Sequence, residues 1–272
     1  MLNCPNEEAK GEGKAITSIL EAILLALVQG VTEWLPISSS GHLALIQQML
    51  QFKSPVFFDV MLHVGTLVVI LIVFREKIAK ITKTVCTKGL TTPEGKTLKQ
   101  VIIGNAPMAV AYILFGREIK DMFSNATAVG IAFLATGFVL FLTLKARNVK
   151  DQLTYTDSIL VGVAQAFALL PGLSRSGLTI AIALLLGIER RKAAEFSFLL
   201  AIPAVIGAAI EESITQGFTG INIFSVFVGM TIAVIVGYAS LKILLQIVQK
   251  GKLYIFSIYC WLTGALVLLL SF

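Results

Sequence analysis

Long apolar segments recur along the whole chain and alternate with short polar connections. Runs close to or above 15 residues occur at 56–74, 126–144, 221–239 and 253–272. Because about 20 apolar residues in a helix span the hydrocarbon core of a bilayer, this pattern predicts transmembrane helices. The fold class is therefore predicted to be an all-α polytopic membrane protein that forms one integral membrane domain over residues 1–272.

Two polar clusters interrupt the apolar pattern. They read GVTEWLPISSSGH at 30–42 and LLPGLSRSGLT at 169–179, and each combines hydroxyls, a glycine and a proline. Non-helical backbone at membrane depth is tolerated only where protein or a water-filled cavity covers it. We therefore predict two re-entrant helix hairpins, at 16–50 and 158–187, whose tips meet and cover each other.

The distribution of charge predicts the topology. The formal net charge is +6, with 56% hydrophobic and 14% charged residues. In a membrane protein such an excess of basic residues reports orientation, so no nucleic-acid partner is expected. Four basic segments are predicted to be cytoplasmic by the positive-inside rule, at 75–100, 145–157, 190–192 and 242–252.

With both hairpins re-entrant, six transmembrane helices remain. They are predicted at 57–74, 101–115, 126–144, 195–210, 222–241 and 253–271. Both termini then lie outside the plasma membrane, and a polar tail at 1–15 precedes the first hairpin.

The two clusters also align without gaps at an offset of 136 residues, half of the 272 in the chain. Four residues of the first cluster and its flank match identical ones in the second: Gln29, Ser38, Ser40 and Gly41 match Gln165, Ser174, Ser176 and Gly177. Each half then contains one hairpin and three spans. Since three is odd, residues 1–136 and 137–272 are predicted to form an inverted-topology repeat, whose site lies at the repeat interface.

Serines in both clusters are suited to cap the helices that restart after the tips. Ser39 or Ser40 is predicted to cap a helix at 42–50, and Ser174 one at 175–187. Two helix N-termini would then point at one small volume. Free N–H groups and positive dipole ends favour an anion there, and a phosphate group fits this description.

Glu33 is a carboxylate predicted at membrane depth, so its charge needs compensation. Gln29 lies four residues earlier on the same helix face, and a carboxylate with an amide oxygen suits a hard divalent cation. The alternative is an ion pair between Glu33 and Arg175 without a metal. The guanidinium of Arg175 either binds a phosphate group through its N–H donors or extends to the membrane surface.

The remaining polar residues leave further alternatives. Ser38, Ser39 and Ser40 are candidate nucleophiles near His42, which is either their base or a neutral histidine bonded to backbone. His63 lies four residues after Asp59, and a simple pairing on one helix face is favoured for these two.

The two motifs resemble the (E/Q)xxxE…PxSSxGH and PGxSRSxxT signatures of the undecaprenyl-diphosphate phosphatases of the bacitracin-resistance type. The resemblance covers nearly the whole chain and implies a membrane hydrolase that converts a polyprenyl diphosphate to the monophosphate carrier lipid. It also implies the same inverted-repeat fold and a divalent cation (Mg²⁺ or Ca²⁺). Membrane lipids and a second copy of the chain, in a homodimer, are further expected partners.

The resemblance also implies roles for individual residues. Gln29 and Glu33 are the metal-binding pair, and Glu33, Ser39, His42 and Arg175 are catalytic. Substrate binding falls to Ser38, Ser40, Ser174, Ser176 and Thr179. Gln29 stands at a position that is often Glu, which leaves one negative charge fewer for a metal.

Two routes fit these roles. In one, Ser39 attacks the terminal phosphorus while His42 accepts its proton; in the other, His42 or Glu33 activates water directly. The PAP2-type lipid phosphatases are a poor match because Ala181 stands where their second histidine is required and no KxxxxxxRP segment occurs. A polyprenyl-phosphate transporter or flippase using the same anion site remains the alternative function.

Overall fold

The computed structural model describes residues 19–51, 54–147, 149–215 and 222–271, and this part of the chain is built from α-helices. The predicted tail at 1–15 lies outside the described residues. The helices are α1 (Ile19–Thr32), α2 (Ser39–Met49), α3 (Val56–Val73), α4 (Arg75–Lys88), α5 (Pro93–Met122), α6 (Ala126–Leu142), α7 (Tyr155–Phe167), α8 (Arg175–Leu185), α9 (Arg190–Thr215), α10 (Ile223–Gln249) and α11 (Ile255–Leu270). A 3₁₀ turn, Thr143–Lys145, follows α6.

Five of these helices are long and apolar enough to cross a membrane, namely α3, α5, α6 with its following turn, α9 and α10. They coincide with five of the six predicted spans, which confirms the polytopic all-α membrane protein. The sixth predicted span is α11, which has 16 residues. At 1.5 Å per residue it extends about 24 Å, slightly less than the roughly 30 Å of hydrocarbon.

The region between the first two spans differs most from the sequence prediction. The predicted cytoplasmic connection at 75–100 contains the basic helix α4 and the first turns of α5. α5 begins at Pro93 because the Thr92 hydroxyl accepts a hydrogen bond from the Gly95 N–H (3.1 Å) and proline is favoured at the first helical position. The helix continues through Pro107 and has non-helical backbone at Phe115.

The first three helices of each half correspond at the predicted offset of 136 residues. α1 and α7 start at Ile19 and Tyr155, while α2 and α8 match at both ends. α1 packs against α10 as α7 packs against α5, and α3 contacts α9 at the centre. Within the described residues α4 has no counterpart, so α10 and α11 depart from the offset. The opposite insertion of the two halves in a membrane stays a prediction.

The short helices form two hairpins, α1–α2 and α7–α8, whose tips touch. α2 and α8 have 11 residues each, or about 16 Å, roughly half the hydrocarbon thickness. Glycines permit the contact: a Cβ on Gly41 would lie 2.9 Å from the Gly172 Cα, and Gly172 has φ +95°. The tips therefore share one volume, while their depth in a bilayer stays a prediction.

Candidate active site

The helix N-termini at the two tips are capped by equivalent serines. The Ser38 hydroxyl accepts a hydrogen bond from the Gly41 N–H (3.2 Å), and the Ser174 hydroxyl accepts one from the Gly177 N–H (3.1 Å). The prediction for Ser174 is confirmed. The prediction of Ser39 or Ser40 as the first cap is wrong, because α2 begins at Ser39 and the capping hydroxyl therefore belongs to the residue before it.

Glu33 joins the tips at the centre of the site. Its carboxylate forms an ion pair with the Arg175 guanidinium of the other hairpin, and the exposed fractions of these side chains are 4% and 18%. The Ser176 hydroxyl donates to the Trp34 carbonyl of the first tip (3.2 Å). The charge of Glu33 is thus compensated by Arg175, one of the two alternatives that the sequence left open.

Three further side chains contact the Glu33 carboxylate at Oε2. The Ser39 hydroxyl donates to it at 2.6 Å and the Gln29 amide at 3.0 Å. His63 lies 3.1 Å from the same oxygen through Nδ1, which is also 2.8 Å from the Gln29 amide nitrogen. A carboxylate that holds a hydroxyl this closely is placed to accept its proton.

His63 was not predicted to belong to the site. Its pairing with Asp59 was the wrong interpretation, because the Asp59 carboxylate accepts hydrogen bonds from Ser54 (2.6 Å) and Gln47 (3.0 Å) instead. The signal available in the sequence was a histidine inside an apolar span, where a polar group needs a partner. Its partner Gln29 lies 34 residues earlier in the sequence, a distance that no local spacing rule covers.

His42 lies beside the tip and is bonded to backbone, one of the two alternatives that the sequence left open, and it is not joined to Ser39 as a base would be. Its Nδ1 is 2.7 Å from the Ser38 carbonyl oxygen and its Nε2 is 2.7 Å from the Tyr259 hydroxyl of α11. The Ser39 hydroxyl is directed to Glu33 instead. Tyr259 is a second site residue that the sequence analysis missed.

The other predicted substrate-binding hydroxyls make contacts within the tips. The Ser38 and Ser40 hydroxyls are 3.4 Å apart, as are those of Ser174 and Ser176. Thr179 is buried, donates to the Arg175 carbonyl (2.7 Å) and lies 2.5 Å from the Ser197 hydroxyl. These residues shape the tips, and their contact with phosphate stays a prediction.

The donors near Glu33 fit a divalent cation only in part. The Gln29 amide oxygen is buried and has no hydrogen-bond partner among the described residues, so one hard oxygen ligand is free. Within the same residues, no group of three or more His, Cys, Asp or Glu is arranged to hold a metal. Mg²⁺ is commonly held by one or two carboxylates together with substrate phosphates, and this arrangement suits Gln29 and Glu33.

The second hairpin begins with a capping box outside the predicted spans. Thr154 accepts a hydrogen bond from the Asp157 N–H (3.1 Å), and its own N–H donates to the Asp157 carboxylate (2.8 Å). Burial raises the pKa of Asp157, but hydrogen bonds from Thr154 and the Lys150 ammonium outweigh burial and hold the pKa below its ordinary value. The carboxylate therefore stabilises the start of α7 in its charged form.

Comparisons with known proteins agree on one family. A family model described as bacitracin resistance protein BacA matches residues 22–266. The undecaprenyl-diphosphatase of Carboxydothermus hydrogenoformans is 41% identical to this chain, over 92% of this chain and 97% of its own length. The undecaprenyl-diphosphatases of Halothermothrix orenii and Korarchaeum cryptofilum are 38% and 37% identical, over 93% and 92% of this chain and 98% of their own lengths.

Proposed function

The chain belongs to the bacitracin resistance protein BacA family, and from this premise we propose that it hydrolyses undecaprenyl diphosphate to undecaprenyl monophosphate and inorganic phosphate. The enzyme is a membrane hydrolase that cleaves a phosphoric anhydride. The observation that carries the proposal is the contact of Ser39 and Arg175 with one carboxylate, Glu33, where two helix N-termini meet.

Binding of the diphosphate begins with Arg175 and the two helix N-termini. One terminal nitrogen of Arg175 bonds to Glu33, and a guanidinium carries five N–H donors, so the same side chain can also hold a phosphate group. The bound diphosphate competes with Glu33 for the positive charge. Substrate binding therefore weakens the ion pair and makes the Glu33 carboxylate a stronger base.

The chemical step follows from the 2.6 Å hydrogen bond between Ser39 and Glu33. The Ser39 oxygen attacks the terminal phosphorus, its proton passes to Glu33, and the bond from that phosphorus to the bridging oxygen breaks. Undecaprenyl monophosphate leaves with the electron pair of that bond. Water then attacks the phosphoserine and releases inorganic phosphate. In the one-step alternative, Glu33 activates water and Ser39 only binds phosphate.

A divalent cation, Mg²⁺ or Ca²⁺, would be held by Gln29 and Glu33 together with the substrate phosphates. When bound, it supplies positive charge that neutralises the diphosphate. We also propose that the reaction takes place on the outer side of the plasma membrane, with both termini outside. A homodimer stays a prediction.

Transport of a polyprenyl phosphate is not favoured as the function. The relatives named above are diphosphatases, and binding an anion for transport does not need a serine hydroxyl held on a carboxylate. Release of inorganic phosphate from undecaprenyl diphosphate by the purified protein tests the function. Transport without phosphate release would contradict it.

The same assay separates the two chemical routes. Loss of one hydrogen bond to a charged group costs about 1.5–3 kcal/mol, or roughly tenfold to a hundredfold in rate. Loss of a nucleophile costs several orders of magnitude more. We expect the larger loss for Ser39→Ala, with Ser271→Ala as the control because its hydroxyl donates only to its own helix. A loss under about a hundredfold for Ser39→Ala would leave water as the attacking group.

A further inference from the structure

The two ring nitrogens of His42 have different partners. Nδ1 is 2.7 Å from the carbonyl oxygen of Ser38, and Nε2 is 2.7 Å from the hydroxyl of Tyr259. The imidazole is also stacked on the Tyr259 ring, with centroids 5.8 Å apart and planes inclined by 20°. The edge of Phe133 approaches it from another direction, with centroids 5.1 Å apart.

These contacts determine the tautomer of neutral His42. A carbonyl oxygen can only accept, so Nδ1 must carry the hydrogen and donate it to Ser38. In a neutral imidazole the other nitrogen then has a lone pair and accepts a hydrogen bond from the Tyr259 hydroxyl. The basic nitrogen is Nε2, and Tyr259 determines where it points.

Tyr259 reaches the first tip from the far end of the chain. It lies on α11, 217 residues after His42. The next residue, Cys260, is buried, and its thiol is 3.7 Å from the Pro36 carbonyl oxygen of the same tip. α11 is thus anchored to the tip at two consecutive positions, which holds the Tyr259 hydroxyl in a defined place relative to α2.

We propose that Tyr259 is a positioning residue for the reaction, which acts by holding the imidazole of His42, the second candidate base of the site, in one orientation at the start of α2. The proposal rests on the proposed function and adds a residue from the second half of the chain to a site otherwise built at the two tips. Tyr259 acts through His42 and is not assigned a contact with substrate.

Tyr259→Phe removes the hydroxyl and keeps the ring that stacks on His42. The Tyr259 side chain is 43% exposed, so we expect the unfolding transition to change little. We expect kcat to fall by about threefold to tenfold, as for the loss of one hydrogen bond, with KM unchanged. Tyr238→Phe is the matched control, because Tyr238 is 37% exposed and its ring lies 4.4 Å from the Lys242 ammonium.

A double-mutant cycle with His42→Ala distinguishes positioning from a general structural effect. If Tyr259 acts through His42, Tyr259→Phe changes kcat by less than about 1.5-fold when His42 is already alanine. The proposal would be overturned if Tyr259→Phe lowered kcat as much in the His42→Ala variant as in the unsubstituted protein. A normal kcat for Tyr259→Phe alone would also overturn it. Absence of phosphate release by the unsubstituted protein would refute the proposed function, and the inference with it.

The tautomer gives a readout that does not depend on activity. The sequence contains two histidines, so ¹⁵N-histidine spectra of the full chain in detergent resolve into two sets, assigned with His42→Ala. We expect neutral His42 to carry its proton on Nδ1, and Tyr259→Phe to shift the Nε2 resonance. A proton on Nε2 in the unsubstituted protein would contradict the proposal.

Discussion

Substitutions at Arg175 should separate its effect on stability from its effect on catalysis. Arg175→Ala removes the cation that compensates Glu33, whose side chain is 4% exposed. Breaking a buried ion pair by removing one partner costs about 3–5 kcal/mol, because the remaining charge is left without compensation. We expect a loss of that size in the free energy of unfolding, measured by reversible denaturation in mixed detergent micelles.

Two companion variants identify the cause. Arg175→Ala combined with Glu33→Gln removes both charges and keeps the shape of residue 33, so we expect it to recover most of the lost stability. Arg175→Lys keeps the positive charge, so we expect a loss well below that of Arg175→Ala. A double variant that is no more stable than Arg175→Ala would show that Glu33 does not carry the uncompensated charge.

Arg175→Lys should lose much of its activity although it keeps most of its stability. Lysine retains the charge but cannot bond to Glu33 and a phosphate group through a planar fork. We expect at least a tenfold loss in kcat/KM for phosphate release, which corresponds to about 1.4 kcal/mol of transition-state binding. Near-normal activity of Arg175→Lys would assign Arg175 a structural role and refute the proposed grip on the diphosphate.

Three further predictions concern the cation, the topology and acid stability. Chelation of divalent cations should lower phosphate release by at least about tenfold. Gln29→Glu adds a second carboxylate ligand and should lower the Mg²⁺ concentration that gives half-maximal activity. If that concentration does not change, the ion is not bound at Gln29. The connection at 211–220 has no Lys or Arg and is predicted to lie outside, whereas 75–100 is predicted to be cytoplasmic. In a cysteine-free background, an impermeant thiol reagent applied to intact cells should therefore label Thr215→Cys and not Lys88→Cys. Labelling of Lys88→Cys alone would show the opposite topology. The pKa of Asp157 is held below its ordinary value, so its contribution to stability is fully present above about pH 4 and is lost as the pH falls through its folded pKa. Asp157→Asn should remove this pH dependence of the free energy of unfolding. Asp151→Asn, at an exposed position, is the control and should leave it unchanged.

Much of the fold and part of the site could be predicted from local sequence. Apolar runs predicted the spans because hydropathy over about 20 residues is enough to specify a transmembrane helix. Pro, Gly and serine in two short clusters predicted the tips, and Ser174 was identified as a cap because a capping bond joins residues three apart. The composition of the motifs also singled out Glu33 and Arg175, since charges in apolar surroundings need partners.

The sequence by itself therefore determined the class of protein, its helices and the polar residues available for chemistry. The tertiary structure decided which of them meet. Ser39 bonds to Glu33 and not to His42, His63 contacts Gln29 across 34 residues, and Tyr259 reaches His42 across 217. The first two contacts depend on how α2 and α3 pack against the end of α1, and the third depends on how α11 of the second half packs against the first tip. Local periodicity and capping rules describe only residues a few positions apart along one helix and cannot specify such packing.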